Sequence, residues 1–396
     1  MKLLLRTVFK SREIKKMESL VDKVFRKIIR KTNPMWYLYY CWRKGYSDKR
    51  IDDFIRKSYT QNDGDFKKIK RIMKYYWVWK GVHHSDFYEM SLDQKSNSER
   101  KQFVPRWEEV DLYYQVNDRK YINLLVNKWN CYNFFKDFYK RQVVLVSEED
   151  VRDKSIRKLV VDFIQVHDRF IIKPLSLHGG KGFRVIDMKS VSSSAESILL
   201  ECMNMPQYSK GFLLEEPIVQ DSRMASFHPQ SVNTIRILTV NYGDTIETKW
   251  PVLCMGRGDS VVDNAAAGGV VAAIDEINGT IICASDEKRG STYSIHPDTH
   301  KSLIGFQIPF WNELCDTIKS MASMCPDCHI MGWDMALTDN GWVVVECKFG
   351  PEILIQCAMK RGVRKEFEVV KKRLHAKKGE SYKNRLLEQY LSVPLN

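Results

Sequence analysis

The sequence predicts an α+β protein, and three observations predict it. From about residue 140, short β-type runs recur: FRVIDM, FLLEEPIVQ, TIRILTVNY, TKWPVLCMG, GVVAAID, TIICAS, MGWDMALT and WVVVECK. Several are joined by hairpin signals at Asn241-Tyr242-Gly243-Asp244, Asn278-Gly279 and Asn340-Gly341, so neighbouring strands should run antiparallel. Helical patterns lie between them, around 128–139, 193–203, 309–324 and 364–377, without the strict strand-helix alternation of a parallel sheet.

The chain has 396 residues, more than the roughly 250–300 at which one hydrophobic core stops growing, so two or more packed units are expected. With 44% hydrophobic residues against 28% charged, it buries enough apolar surface to offset ordering entropy, which excludes a disordered chain. No apolar run approaches the roughly 20 residues that span a bilayer, and Arg6 interrupts the leading MKLLLRTVF before a signal-peptide core forms. A cytoplasmic protein is expected, at most peripheral at the inner face of a membrane. The 10 cysteines show no repeated spacing, which suits buried thiols in a reducing compartment. CPDCH, Cys325 to His329, has the form of a haem-attachment or half-zinc motif. The expectation here is a helix-to-strand corner turned at Pro326 with two half-buried thiols.

The formal charge of +14 is unevenly placed. Residues 1–100 carry 25 Lys and Arg against 12 Asp and Glu, whereas the remainder holds 38 against 37. This basic region reads as helices: VDKVFRKIIRK repeats apolar residues every three or four positions, Asn33-Pro34 breaks it before WYLYYCW, and another helix starts after Ser47 with Ile51, Phe54 and Ile55 on one face. Such a region can meet an anionic membrane surface or a polyanion, or its lysines can simply solvate the outside of a helical bundle. Nucleic acid is not expected, because no zinc-finger spacing, RNA-binding signature or helix-turn-helix accompanies the charge.

Chemistry begins at FIIKPLSLHGGKGFRVI, where a strand ending at Lys173 leads into Gly179-Gly180-Lys181-Gly182 and a second strand. Glycines let backbone N–H groups approach phosphate oxygens and lysines add charge there; a plain glycine hairpin would look the same. FLLEEPIVQ then ends a strand in Glu215 and Glu216 before Pro217, a place where backbone amides and a carboxylate are free to meet a ligand. Arg236 sits inside the apolar alternation of SVNTIRILTV, where an unpaired guanidinium is costly unless it meets an anion. Arg257 follows the next strand, and Asn264 precedes Gly268-Gly269. In the hairpin GWDMALTDNGWVVVECKFG, Asp334 and Glu346 lie on adjacent apolar strands, where two carboxylates can share a hard cation such as Mg²⁺.

Taken in order, these features resemble the ATP-grasp superfamily over roughly residues 105–370, preceded by the basic helical region. HPQSVNTIRILTV, HPDTHKSLIGFQIP and GWDMALTDNGWVVVE resemble its sugar-transfer-associated branch, linked to surface-polysaccharide synthesis. The Arg236, Arg257, Asn264, Gly-Gly arrangement is also similar to that of ATP-grasp glutamate-adding ligases. The resemblance implies two α+β lobes gripping ATP, residues 105–214 with the glycine loop and 215–396 with the metal hairpin, after an N-terminal region 1–104. It implies that Lys173 and Lys181 hold the α- and β-phosphates under a cover shaped by Gly179, Gly180 and Gly182. Glu215, Glu216 and the backbone near Ile218 would receive adenine and ribose, with Lys128 of VNKW near the adenine pocket. Arg236 and Arg257 would stabilise the transferring phosphoryl group, with Asn264 beside them, and Asp334 and Glu346 would ligate Mg²⁺.

One position departs from the family. The second acid is usually followed two residues later by a metal-ligating Asn, and here Glu346-Cys347-Lys348 supplies a lysine, whose ammonium donates only and cannot ligate a cation. Lys348 would then replace the charge of one of two metals, or mark an impaired site. The implied activity is an ATP-dependent carboxylate–amine (or carboxylate–thiol) ligase working through an acyl phosphate on a sugar acid or surface-glycan precursor. Its alternatives are a phosphotransferase to a hydroxyl acceptor and a nucleotide-binding partner of glycan-synthesis machinery with little turnover.

Overall fold

The computed structural model describes residues 47–376 apart from residues 61, 63, 176, 178 and 179. The helical pattern before residue 47, the WYLYYCW run, Cys41 and Gly179 therefore lie outside the described residues. The chain divides into two compact units, whose described parts are residues 47–87, 104–115 and 366–376 in the first and 88–103 and 116–365 in the second.

The first unit is helical. Ser47 caps the helix Asp48–Ser58 by accepting from the Arg50 N–H, and Ile51 and Ile55 are its buried face, while Phe54 is half-buried. Asp65 likewise caps the N-terminus of the helix Phe66–Lys80, accepting from the Lys67 and Lys68 N–H groups, and Ile69, Met73, Tyr76 and Trp77 turn inward at helical spacing. Gly81 ends that helix in the left-handed region at φ +69°, and a Cβ there would stand 2.4 Å from the Trp107 ring. Only glycine satisfies both demands.

The second unit contains two antiparallel sheets. The four-stranded sheet is built from β1 (Val143–Val146), β2 (Arg169–Pro174), β3 (Arg184–Asp187) and β4 (Phe212–Glu215), in the order β1-β4-β2-β3. Period-two alternation on β2 sends Phe170 and Ile172 into a core shared with the helices Lys158–Val166 and Ala195–Met203, through Phe163 and Leu199 among others. The intervening Ile171 and Lys173 face the other way. β1 was not apparent from the sequence, because four apolar residues show no period that separates a strand from a helix edge.

The six-stranded sheet comprises β5 (Thr234–Asn241), β6 (Ile246–Met255), β7 (Val270–Ile274), β8 (Ile281–Ser285), β9 (Ile330–Thr338) and β10 (Gly341–Lys348), in the order β10-β9-β5-β6-β7-β8. The expected hairpins are the β5–β6, β7–β8 and β9–β10 connections. The helix Trp311–Ser323 buries Trp311, Leu314, Cys315, Ile318, Met321 and Ala322, an i, i+3, i+4, i+7 stripe. Among the described residues, no helix is long and apolar enough to cross a membrane.

Two expectations need correction. The 128–139 helix is two pieces, Lys128–Phe134 and Lys136–Tyr139, because the backbone leaves helical geometry at Phe135, whose ring is fully buried. The Cys325 and Cys328 thiols are fully buried and not half-buried, since the turn holding them, closed by Cys328 N–H donating to the Cys325 carbonyl at 3.0 Å, is covered. Burial pushes the Cys325 thiol up to about 12, so it stays protonated.

Candidate active site

A cavity of about 330 Å³ lies in the second unit, walled by both sheets. The four-stranded sheet contributes Ile171, Lys173 and Glu215, and the glycine loop adds Gly180, Lys181 and Phe183. The six-stranded sheet contributes Thr234, Arg236, Cys254, Asp334, Glu346 and Lys348. Lys128 and Cys131 reach it from the helix Lys128–Phe134, and Asp263 and Asn264 from the loop after β6.

On the first wall, register decides the pairing. Ile171 lies opposite Glu215 and Lys173 opposite Leu213, so Lys173 and Glu215 are diagonal neighbours on one face. Lys173 Nζ donates to Glu215 Oε2 at 2.8 Å, and Arg141, just ahead of β1, donates to the same oxygen from Nη2 at 3.1 Å. Burial opposes the charge on Glu215, and the two cations overcome it, holding its carboxyl below the usual range. Lys128 Nζ donates to the carbonyls of Pro174 and Leu177 at 3.1 and 2.7 Å, tethering the root of the glycine loop, and burial lowers its pKa. Gly182 adopts φ +73°, and a Cβ on it would lie 2.7 Å from the Pro174 ring.

On the second wall, Arg236, Asp334 and Glu346 form one cross-strand row over β5, β9 and β10. Arg236 donates from Nε to Asp334 Oδ1 at 2.7 Å and from Nη2 to Oδ2 at 2.9 Å. Lys348 Nζ stands 2.9 Å from Glu346 Oε2 and 3.3 Å from Asp334 Oδ2. Burial works against the Asp334 charge, yet Arg236 and Lys348 pull its pKa down to about 2. The same carboxylates raise Lys348 against the burial that would lower it. Asp263 behaves oppositely: burial pushes it up to about 6, although its Oδ2 accepts from Thr234 N–H at 3.0 Å.

Asp334 and Glu346 are the carboxylates that could hold a divalent ion here. Three of the four oxygens of Asp334 and Glu346 already accept from Arg236 or Lys348. Among the described residues, no three His, Cys, Asp or Glu side chains converge as a metal shell. Mg²⁺ is commonly held by one or two carboxylates with phosphate and water filling the rest, a role open to Glu346 and Asp334.

The cavity gathers Lys128, Lys173, Gly180, Lys181, Glu215, Ile218, Arg236, Asn264, Asp334, Glu346 and Lys348 of the residues expected from sequence. It does not gather Arg257, Glu216 or Gly182. Arg257 turns to the buried Asp286, 3.3 Å from its Oδ2, and to the Tyr293 hydroxyl at 3.3 Å, because a buried carboxylate draws the nearest guanidinium. Glu216 Oε2 accepts instead from the Gln142 N–H at 3.2 Å. Glu215, expected to meet a ribose, is taken by Lys173 and Arg141. Gly182 shapes the loop from behind. Sequence reasoning missed Arg141, Thr234 and Asp263. Asp263 was readable as the acid beside Asn264, and Arg141 only once β1 is recognised two residues later.

The hairpin-built sheets, the glycine loop and the shared cavity define an ATP-grasp protein. More narrowly, the chain belongs to the sugar-transfer associated ATP-grasp family, whose model matches residues 108–372. No curated protein matches it. Similar solved structures include D-alanine–D-alanine ligase from Bacillus anthracis, at 12% identity over 69% of this chain and 70% of that one, with a TM-score of 0.36. The Helicobacter pylori D-alanine–D-alanine ligase is 15% identical over 68% of this chain and 62% of that one, with a TM-score of 0.35. The biotin carboxylase domain of the Hydrogenobacter thermophilus 2-oxoglutarate carboxylase, solved with MgADP, is 11% identical over 71% and 49%, with a TM-score of 0.35. The chain thus spans less than two thirds of the last two.

Proposed function

We propose that this chain is an ATP-dependent ligase joining a carboxylate to an amine or a thiol through an acyl phosphate, with a sugar acid or surface-polysaccharide precursor as one substrate. The observation that carries the reading is the cavity itself: Lys128, Lys173 and Lys181 stand on one wall, and Arg236, Asp334, Glu346 and Lys348 on the other. On this reading Lys173 and Lys181 meet the α- and β-phosphates, and Lys128 keeps the glycine loop seated. The substrate carboxylate attacks the γ-phosphorus and ADP leaves; the amine then attacks the acyl carbon and phosphate leaves. Arg236 and Lys348 offer donors to the charge that builds on the transferring group. A Mg²⁺ held by Asp334 and Glu346 would supply neutralisation of phosphate charge.

The test is ADP release across a panel of uronic acids, amino acids and amino sugars, with hydroxylamine to trap an acyl phosphate. Release that needs both a carboxylate and an amine supports the ligase; a hydroxylamine-stable phosphorylated product refutes it in favour of a phosphotransferase. One observation favours a second reading, a nucleotide-binding protein with little turnover: Arg257 is engaged by Asp286 and Tyr293 and does not line the cavity. ATP binding without ADP release from any substrate pair would select it.

For the basic region we propose an anionic membrane surface as partner, supported by exposed Lys67, Lys68 and Arg71 on one helix of the first unit. Co-sedimentation with phosphatidylglycerol vesicles, absent with phosphatidylcholine alone, tests it.

A further inference from the structure

Lys348 follows Glu346 by two residues on β10, so both side chains rise from one face of the sheet. The residue opposite Lys348 on β9 is Gly332, which places no side chain between the lysine and Asp334, two residues further along that strand. A Cβ at Gly332 would come within 3.4 Å of the Lys348 Cβ and 2.4 Å of Pro351. Across that gap the ammonium bridges the two carboxylates, 2.9 Å from Glu346 Oε2 and 3.3 Å from Asp334 Oδ2. Arg236 closes Asp334 from the other side with both of its bonds.

We propose that Lys348 is a tethered cation standing between Asp334 and Glu346 in the place of a second divalent ion, so that a nucleotide bound in this cavity is accompanied by one divalent ion. The inference rests on the nucleotide-binding reading above. An ammonium has three donors and no acceptor; two of its directions are used on the carboxylates, and the third remains for a phosphate oxygen. A second dication seeking the same oxygens would meet a positive charge at hydrogen-bond distance.

The experiment uses the full chain, ADP and Mn²⁺. Equilibrium dialysis counts bound ADP, and electron paramagnetic resonance of free Mn²⁺ counts bound ions in the same samples. The expected result is one Mn²⁺ per ADP in the wild type and two in Lys348→Asn, whose amide oxygen can ligate. Two ions per ADP in the wild type overturn the proposal, as does a folded Lys348→Asn that stays at one. Should Lys348→Asn not fold, Lys348→Arg keeps the bridging charge: one ion per ADP supports the proposal and two overturn it. Failure of the nucleotide-binding reading has its own signature, since ADP is then not retained by the wild type at any Mn²⁺ concentration, and both claims fall.

Discussion

Arg236 and Asp334 are opposite one another in the β5–β9 register, and their side chains close the same pair with two hydrogen bonds, at 2.7 and 2.9 Å. A buried guanidinium held this way depends on its partner. Asp334→Asn leaves Arg236 without the carboxylate that it is bonded to and is expected to cost about 3 kcal/mol of stability, read from urea midpoints at pH 7. The pH profile adds a second check. The Asp334 pKa lies near 2, below the ordinary carboxylate value, so its stabilisation is full above about pH 4 and is lost as pH falls toward 2. The gap between wild type and Asp334→Asn should narrow over that window; a constant gap would show that the ion pair is not its source.

Asp263 predicts the opposite trend. Its folded pKa of about 6 lies above the unfolded value, so folding favours the protonated acid. Its contribution is fully present below about pH 4 and is lost as pH rises through 6. The shift corresponds to roughly 3 kcal/mol. Asp263→Asn retains an oxygen for the Thr234 N–H and should be more stable than wild type above pH 6, with the difference vanishing near pH 4. Thermal melts at pH 4.5, 6 and 7.5 decide it.

Lys128 is expected to act through the loop it tethers. Lys128→Met removes the donors to Pro174 and Leu177. Losing them should weaken ADP binding about tenfold, with about 1 kcal/mol lost in overall stability. Unchanged ADP affinity by equilibrium dialysis would count against the tether.

The two described glycines of the loop separate two costs. Gly180 and Gly182 share φ +73°, so alanine strains the backbone at either position by about 1–2 kcal/mol. Only at Gly182 does the new Cβ also strike its surroundings, 2.7 Å from Pro174, whereas at Gly180 the nearest atom is a Val262 methyl at 3.5 Å. Gly182→Ala should therefore accelerate proteolysis within 175–183 more than Gly180→Ala does.

Much of the second unit was legible because its signals are local. Hairpin turns announced the β5–β6, β7–β8 and β9–β10 pairings, and alternation located Arg236 inside a strand. Those same local signals could not say which charged groups would meet. Arg257 looked as available as Arg236 in sequence, but Asp286, 29 residues later, claims it. Glu215 likewise looked free to meet a ligand until the β4 register placed it diagonally from Lys173.

The sequence alone determined the family, the strands other than β1 and the identity of the charged residues, since each follows from turn chemistry, periodicity and motif order along a few residues. The convergence of Arg236, Asp334 and Glu346 was decided by one irregularity. Strict alternation on β10 would keep Val344 and Glu346 on the same face; the bulge between them sets Val344 against Met335 and Glu346 against Asp334, successive residues of β9 that face opposite ways. Nothing in WVVVECK marks that bulge, because it is a property of how two strands pair, and pairing exists only once the chain has folded.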